Sequence, residues 1–132
     1  MNKEIQRDEK LYRAIKRSKP NWLDQKGIPT SAMFKDEKGN SVDRDDSRTL
    51  SDIVSFMNTG IFNGRLKGVV EVCASDCFDS NIEVESAATD YNPYHANIFI
   101  DEDEHLGALQ ARILADNSKV VYENAEMAWV NL

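Results

Sequence analysis

The sequence predicts an α+β fold: one domain with a mostly antiparallel sheet and two main helices. Three observations lead there. Short β-branched or alternating segments recur along the chain, at Val69 to Ala74, Asn81 to Glu85, Asn97 to Ile100 and Lys119 to Tyr122. Two apolar stripes have helical spacing, one through Leu50, Ile53, Val54 and Met57, the other through Leu106, Leu109, Ile113 and Leu114. The 132 residues contain no repeat and no linker composition, and one domain of this length can bury a self-sufficient core.

Taken in order, residues 2 to 9 read as a helix running into a strand at 11 to 15. Leu11, Ala14 and Ile15 also share a helical face, so the segment 10 to 16 fits either state. Pro20, Asn21, Gly27 and Pro29 punctuate a loop anchored by Trp22 and Leu23. Residues 31 to 35 and 41 to 43 form the arms of a hairpin, with Gly39 and Asn40 supplying the turn. Ser47 or Thr49 caps the first main helix, which stops before Gly60. The four carboxylates from Asp101 to Glu104 start the second, where negative charge meets the positive end of the helix dipole, and Asp116-Asn117 closes it.

The chain carries 16 basic and 23 acidic side chains, a net charge of −7. Residues 1 to 40 contribute +4 and residues 41 to 132 contribute −11. The acidic part repels phosphate, and the basic N-terminal residues are interleaved with acids as on a solvated face. The expectation is therefore no nucleic-acid partner. No apolar run approaches the ~18 residues that span a bilayer, and a charged N-terminus replaces the apolar core of a signal peptide. These features predict no membrane association and a cytoplasmic location. Cys73 and Cys77 stand in a C-x-x-x-C spacing, with no second pair to complete a tetrahedral site. Cys73 is expected to pack in a buried strand and Cys77 to lie in the following turn. The acidic run lacks the glycine and alternating ligands of a calcium loop, and Gly60, Gly64 and Gly68 lack the lysine of a phosphate loop. Neither a metal nor a cofactor is assigned.

Four stretches carry polar groups inside ordered segments: Leu11-Tyr-Arg-Ala-Ile15, Pro29-Thr-Ser-Ala-Met-Phe-Lys35, Ser41-Val-Asp43 and Asn92-Pro-Tyr-His-Ala-Asn-Ile98. In that order they resemble a family of small bacterial proteins with segments LYR-A-I, P-S/T-S-A-x-F, S-V-D and N-P-x-H-A-x-I. The resemblance covers most of the chain and implies a single-domain bacterial protein. It assigns no activity to any residue.

The same stretches supply the candidate ligand-binding residues Arg13, Ser31, Ser41 and His95. An arginine within an apolar strand must find a carboxylate, a phosphate or solvent. A histidine entering a strand after an Asn-Pro turn is placed to meet a ligand, although structural hydrogen bonding is the commoner role. Ser31 and Ser41 flank the expected hairpin, and neither stands in a nucleophile elbow. With no catalytic set closing, the leading reading is a non-enzymatic module binding a small ligand or a protein partner. The alternative is an enzyme. Arg13, Ser31 and Glu83-Val-Glu85 resemble the ordered elements of ADP-ribosyltransferases, which implies Arg13 on NAD phosphates, Ser31 as scaffold and Glu85 on the ribose. The chain departs from that pattern in lacking the Ser-Thr-Ser order and in having 47 residues after Glu85.

Overall fold

The computed structural model describes residues 4–36, 39–100 and 106–130. Among these residues six strands form one antiparallel sheet: β1 (Lys10–Lys16), β2 (Asn40–Arg44), β3 (Leu66–Cys73), β4 (Glu83–Ser86), β5 (His95–Phe99) and β6 (Lys119–Glu123). Their spatial order is β4-β5-β2-β1-β3-β6. The helices are α1 (Leu50–Ser55), α2 (Ala74–Phe78) and α3 (Ala108–Asn117). The fold is thus α+β, with α1 and α3 the two main helices.

Side chains alternate across a strand, and directly paired residues share a face. The pairs Arg13 with Val70 and Leu11 with both Val72 and Arg44 define one face. It packs against Ala111, Leu114 and Ala115 of α3, Cys77 of α2, and Trp22, Met33 and Phe34. The pairs Tyr12 with Asp43 and Glu71, Asp43 with His95, and Ser41 with Asn97 define the other face. Here a smaller cluster of Tyr12, Ile53, Met57, Leu66 and Val69 lies under α1 and covers only the β1-β3-β6 half. The β2-β5-β4 half has no helix over it among the described residues. Ser41, Glu83 and Glu85 are exposed there.

α1 starts where Thr49 accepts the Asp52 amide on Oγ1 at 3.1 Å, so the cap is Thr49 rather than Ser47. The helix then widens into a π-helical turn over Phe56–Ile61, with the Phe62 amide reaching back to the Met57 carbonyl at 2.9 Å. This wide turn swings Met57 and Phe62 against the sheet while Leu50, expected in the apolar stripe, is 38% exposed.

Several expectations are corrected. Residues 4–9 hold a turn at Arg7–Asp8 instead of a helix, because Ile5 is their only apolar side chain and no stripe exists to bury. Residues 10–16 are a strand, so the helical option for that segment falls away. The first hairpin arm is a 3-10 turn, Ser31–Phe34. Met33 and Phe34 are adjacent and both fully buried, which a two-residue alternation cannot achieve. Gly39 does turn the chain, at φ 93°, and β2 then pairs with β1 and β5. The expected stripe of the last helix is rotated: Ala111, Leu114 and Ala115 face inward, and Leu109 is 68% exposed. The carboxylates Asp101 to Glu104 lie outside the described residues. Cys77, not Cys73, is the fully buried thiol. No helix among the described residues is long and apolar enough to cross a membrane.

Candidate functional site

Tyr12, Ala14 and Lys16 project from β1 toward the face that carries Ser41 and Asp43 on β2 and His95 on β5. The π-helical turn ends above these strands with Met57, Ile61 and Phe62. Between turn and sheet, at the boundary of the covered and uncovered halves, lies a cavity of about 250 Å³. Its lining includes Tyr12, Ala14, Ser41, Asp43, Asn92 and His95. The volume falls below the ~300 Å³ at which pockets for drug-sized ligands begin, so it fits a head group rather than a whole dinucleotide.

Asp43 is the most unusual group in this lining. It is 4% exposed, and Oδ1 accepts the side-chain amide of Asn92 at 2.8 Å. Oδ2 is buried and has no hydrogen-bond partner among the described residues. Burial pushes this carboxyl above its ordinary range, while the Asn92 bond and the charges of Arg48 and His95 draw it down. Asn92 is fixed in turn by its own loop, since its Oδ1 accepts the Tyr94 amide at 3.0 Å and its amide donates to the Thr89 hydroxyl at 2.9 Å. Arg48 stacks on Tyr94, its guanidinium carbon 3.4 Å from the ring centroid, and donates to the Arg44 carbonyl at 2.6 Å. The ends of β2 and β5 are thereby held together beside the carboxylate.

Of the four residues singled out in the sequence, Arg13, Ser41 and His95 line this cavity. Arg13 does so as part of its frame. Its Nε donates to the Met33 carbonyl at 2.8 Å and its Nη1 to the Ser41 carbonyl at 2.9 Å, with Asp36 3.6 Å from Nη2. The guanidinium also lies 4.8 Å from the Trp22 ring centroid. Burial lowers its pKa to about 10, against the opposing pull of Asp36, so it stays charged at neutral pH. Ser31 is elsewhere, on the 3-10 turn, in a depression shared with Trp22, Lys35 and Asp36. Arg13 and Glu85 lie on opposite faces of the sheet, with β2 and β5 between their strands, so they do not face one ligand.

Asp43, Asn92 and Tyr12 are site residues that the sequence reading passed over. A signal was present, because Asp43 stands two residues from Ser41 on one strand and must share its face. Among the described residues, no group of three His, Cys, Asp or Glu side chains is placed to hold a metal. Compared with protein-family models, with curated proteins and with solved structures, the chain matches none.

Proposed function

We propose that the chain is a non-enzymatic binding module that takes a small ligand in the cavity between the β1-β2-β5 face and the π-helical turn. The observation that carries this reading is Asp43. A carboxylate buried with one oxygen unpartnered costs free energy on the order of 1–3 kcal/mol, and a ligand offering an N–H or O–H donor removes that cost. Asn92 holds Oδ1, leaving Oδ2 for the ligand, and Met57 and Phe62 provide an apolar wall. Preformed apolar cavities with a few fixed polar groups are the usual form of a small-molecule site. The family resemblance adds a bacterial origin to the reading, and the two free thiols suit a reducing cytoplasm.

The test is a small-fragment library screened by amide chemical-shift mapping. The reading expects amine- or amide-bearing fragments to shift the amides of Ser41, Asp43 and His95. It also expects Ser41→Trp, which fills the mouth, to abolish those shifts. If no fragment moves these resonances, the ligand reading fails. Shifts confined to the exposed β4 edge would favour a protein partner instead.

A further inference from the structure

The cavity has a neighbour at Lys16. A second depression, of about 380 Å³, is lined by Arg17, Asn63 and Arg65 and shares Lys16, Ile61 and Phe62 with the first. The two lie side by side along β1, with Tyr12 beside Asp43 at the inner end and Lys16 and the arginines at the outer end. The two ends offer different groups. The inner end offers a carboxyl oxygen of Asp43 that has no donor among the described residues. At the outer end Lys16 pairs with Asp36, whereas Arg17 and Arg65 have no carboxylate partner among the described residues. Four residues along a strand at ~3.3 Å each separate the ends by ~13 Å. That distance suits a ligand with a donor at one extremity and an anion at the other.

We infer that the ligand of this site is a phosphorylated small molecule with an amino-bearing planar head, of the nucleoside monophosphate class. The head lies between Ala14 and Phe62, its amino group donating to Oδ2 of Asp43, and the phosphate meets Arg17 and Arg65. The head fits the inner volume, and planar stacking suits a wall made by Phe62, Met57 and the flat strand surface at Ala14. Guanidinium groups fork onto phosphate oxygens, and two without competing carboxylates discriminate a phosphate monoester from the uncharged nucleoside. The inference rests on the binding-module reading and adds the ligand's class to it.

The experiment titrates the full chain with AMP, GMP, CMP and UMP, with each parent nucleoside, and with inorganic phosphate, using calorimetry and the same amide map. At least one of the three amino-bearing monophosphates is expected to bind about tenfold or more tightly than its nucleoside, and more tightly than UMP. Arg17→Ala combined with Arg65→Ala should erase the advantage of the phosphate and leave nucleoside binding in place. Asp43→Asn should erase the preference over UMP. Equal affinity for nucleoside and monophosphate, or inorganic phosphate binding as tightly as the nucleotide, overturns the inference. If fragments occupy the cavity and no nucleotide does, the inference falls and the binding module stands; if nothing occupies it, both fall.

Discussion

Arg13 donates from Nη1 to the carbonyl of Ser41, 2.9 Å away on the neighbouring strand, while its Nε bonds the Met33 carbonyl. One buried guanidinium therefore ties β1 to β2 and to the 3-10 turn beneath them. Arg13→Met removes a charge-assisted donor from two buried carbonyls and leaves Asp36 without this ion pair. The expected loss is about 3 kcal/mol, read as a lowered urea midpoint. Arg13→Lys should recover little of it, because one ammonium lacks the planar fork that reaches two carbonyls at once.

Glu9 and Arg44 form a forked pair, with Nε to Oε2 at 2.6 Å and Nη2 to Oε1 at 2.9 Å, both side chains nearly sealed from solvent. The bond to Glu9 raises the Arg44 pKa and fastens the segment before β1 to the end of β2. Glu9→Gln keeps the shape and removes the charge that faces the buried Arg44 guanidinium. A loss of about 2–3 kcal/mol is expected, and amide exchange near Arg44 should quicken.

Gly68 stands on β3 opposite Glu123 of the neighbouring strand β6. A Cβ there would lie 2.7 Å from the Tyr122 carbonyl oxygen and 2.9 Å from Cδ1 of Ile15. The isoleucine methyl can move, but the backbone oxygen cannot move without disturbing the β3-β6 ladder. Gly68→Ala should therefore cost about 1–3 kcal/mol, in contrast to the gain usual when alanine replaces glycine in extended structure. Thermal unfolding of the variant measures it.

The two thiols should differ in reactivity. Burial pushes Cys77 to about 12, with the charges of Asp76 and Cys73 adding to the effect, whereas Cys73 is half-buried. Alkylation of the native protein near neutral pH should label Cys73 alone, as read by peptide mass analysis.

Most of the sheet was legible in the sequence because its strands carry their own signals. β-branched continuity in β3 and alternation in β4 are local properties, and both strands formed within a few residues of where they were expected. The 3-10 turn at Ser31–Phe34 was illegible for the opposite reason. Its neighbours Met33 and Phe34 are buried by α3, more than 70 residues away, and no local pattern announces that packing. The site divides in the same way. Arg13 stood out as a charge in an apolar strand and does lie beside a carboxylate, Asp36, but the acceptors of its Nε and Nη1 are backbone carbonyls, which have no sequence signature. Asp43 did not stand out, since a lone aspartate in a strand is unremarkable until Asn92 reaches it across 49 positions.

Asp43 carries the functional account, and stability and binding should respond to it in opposite directions. Its carboxyl is raised in the folded protein by burial, so folding is favoured when the group is protonated. That contribution is complete below the ordinary aspartate value of ~4 and is lost as the pH rises through the raised folded value. At neutral pH the group therefore weakens the fold relative to its contribution in acid. Asp43→Asn preserves the acceptor for Asn92 and removes the charge, as expected where a site trades stability for function. The most direct measurement is thermal unfolding of this variant and the parent at pH 7 and again near pH 4, paired with fragment mapping at neutral pH. The account predicts a variant more stable than the parent by about 1–2 kcal/mol at pH 7, an advantage that shrinks at pH 4, and loss of ligand-induced shifts at Ser41 and His95. An Asp43→Asn protein that is less stable than the parent at neutral pH, or that binds the same fragments unchanged, would contradict it.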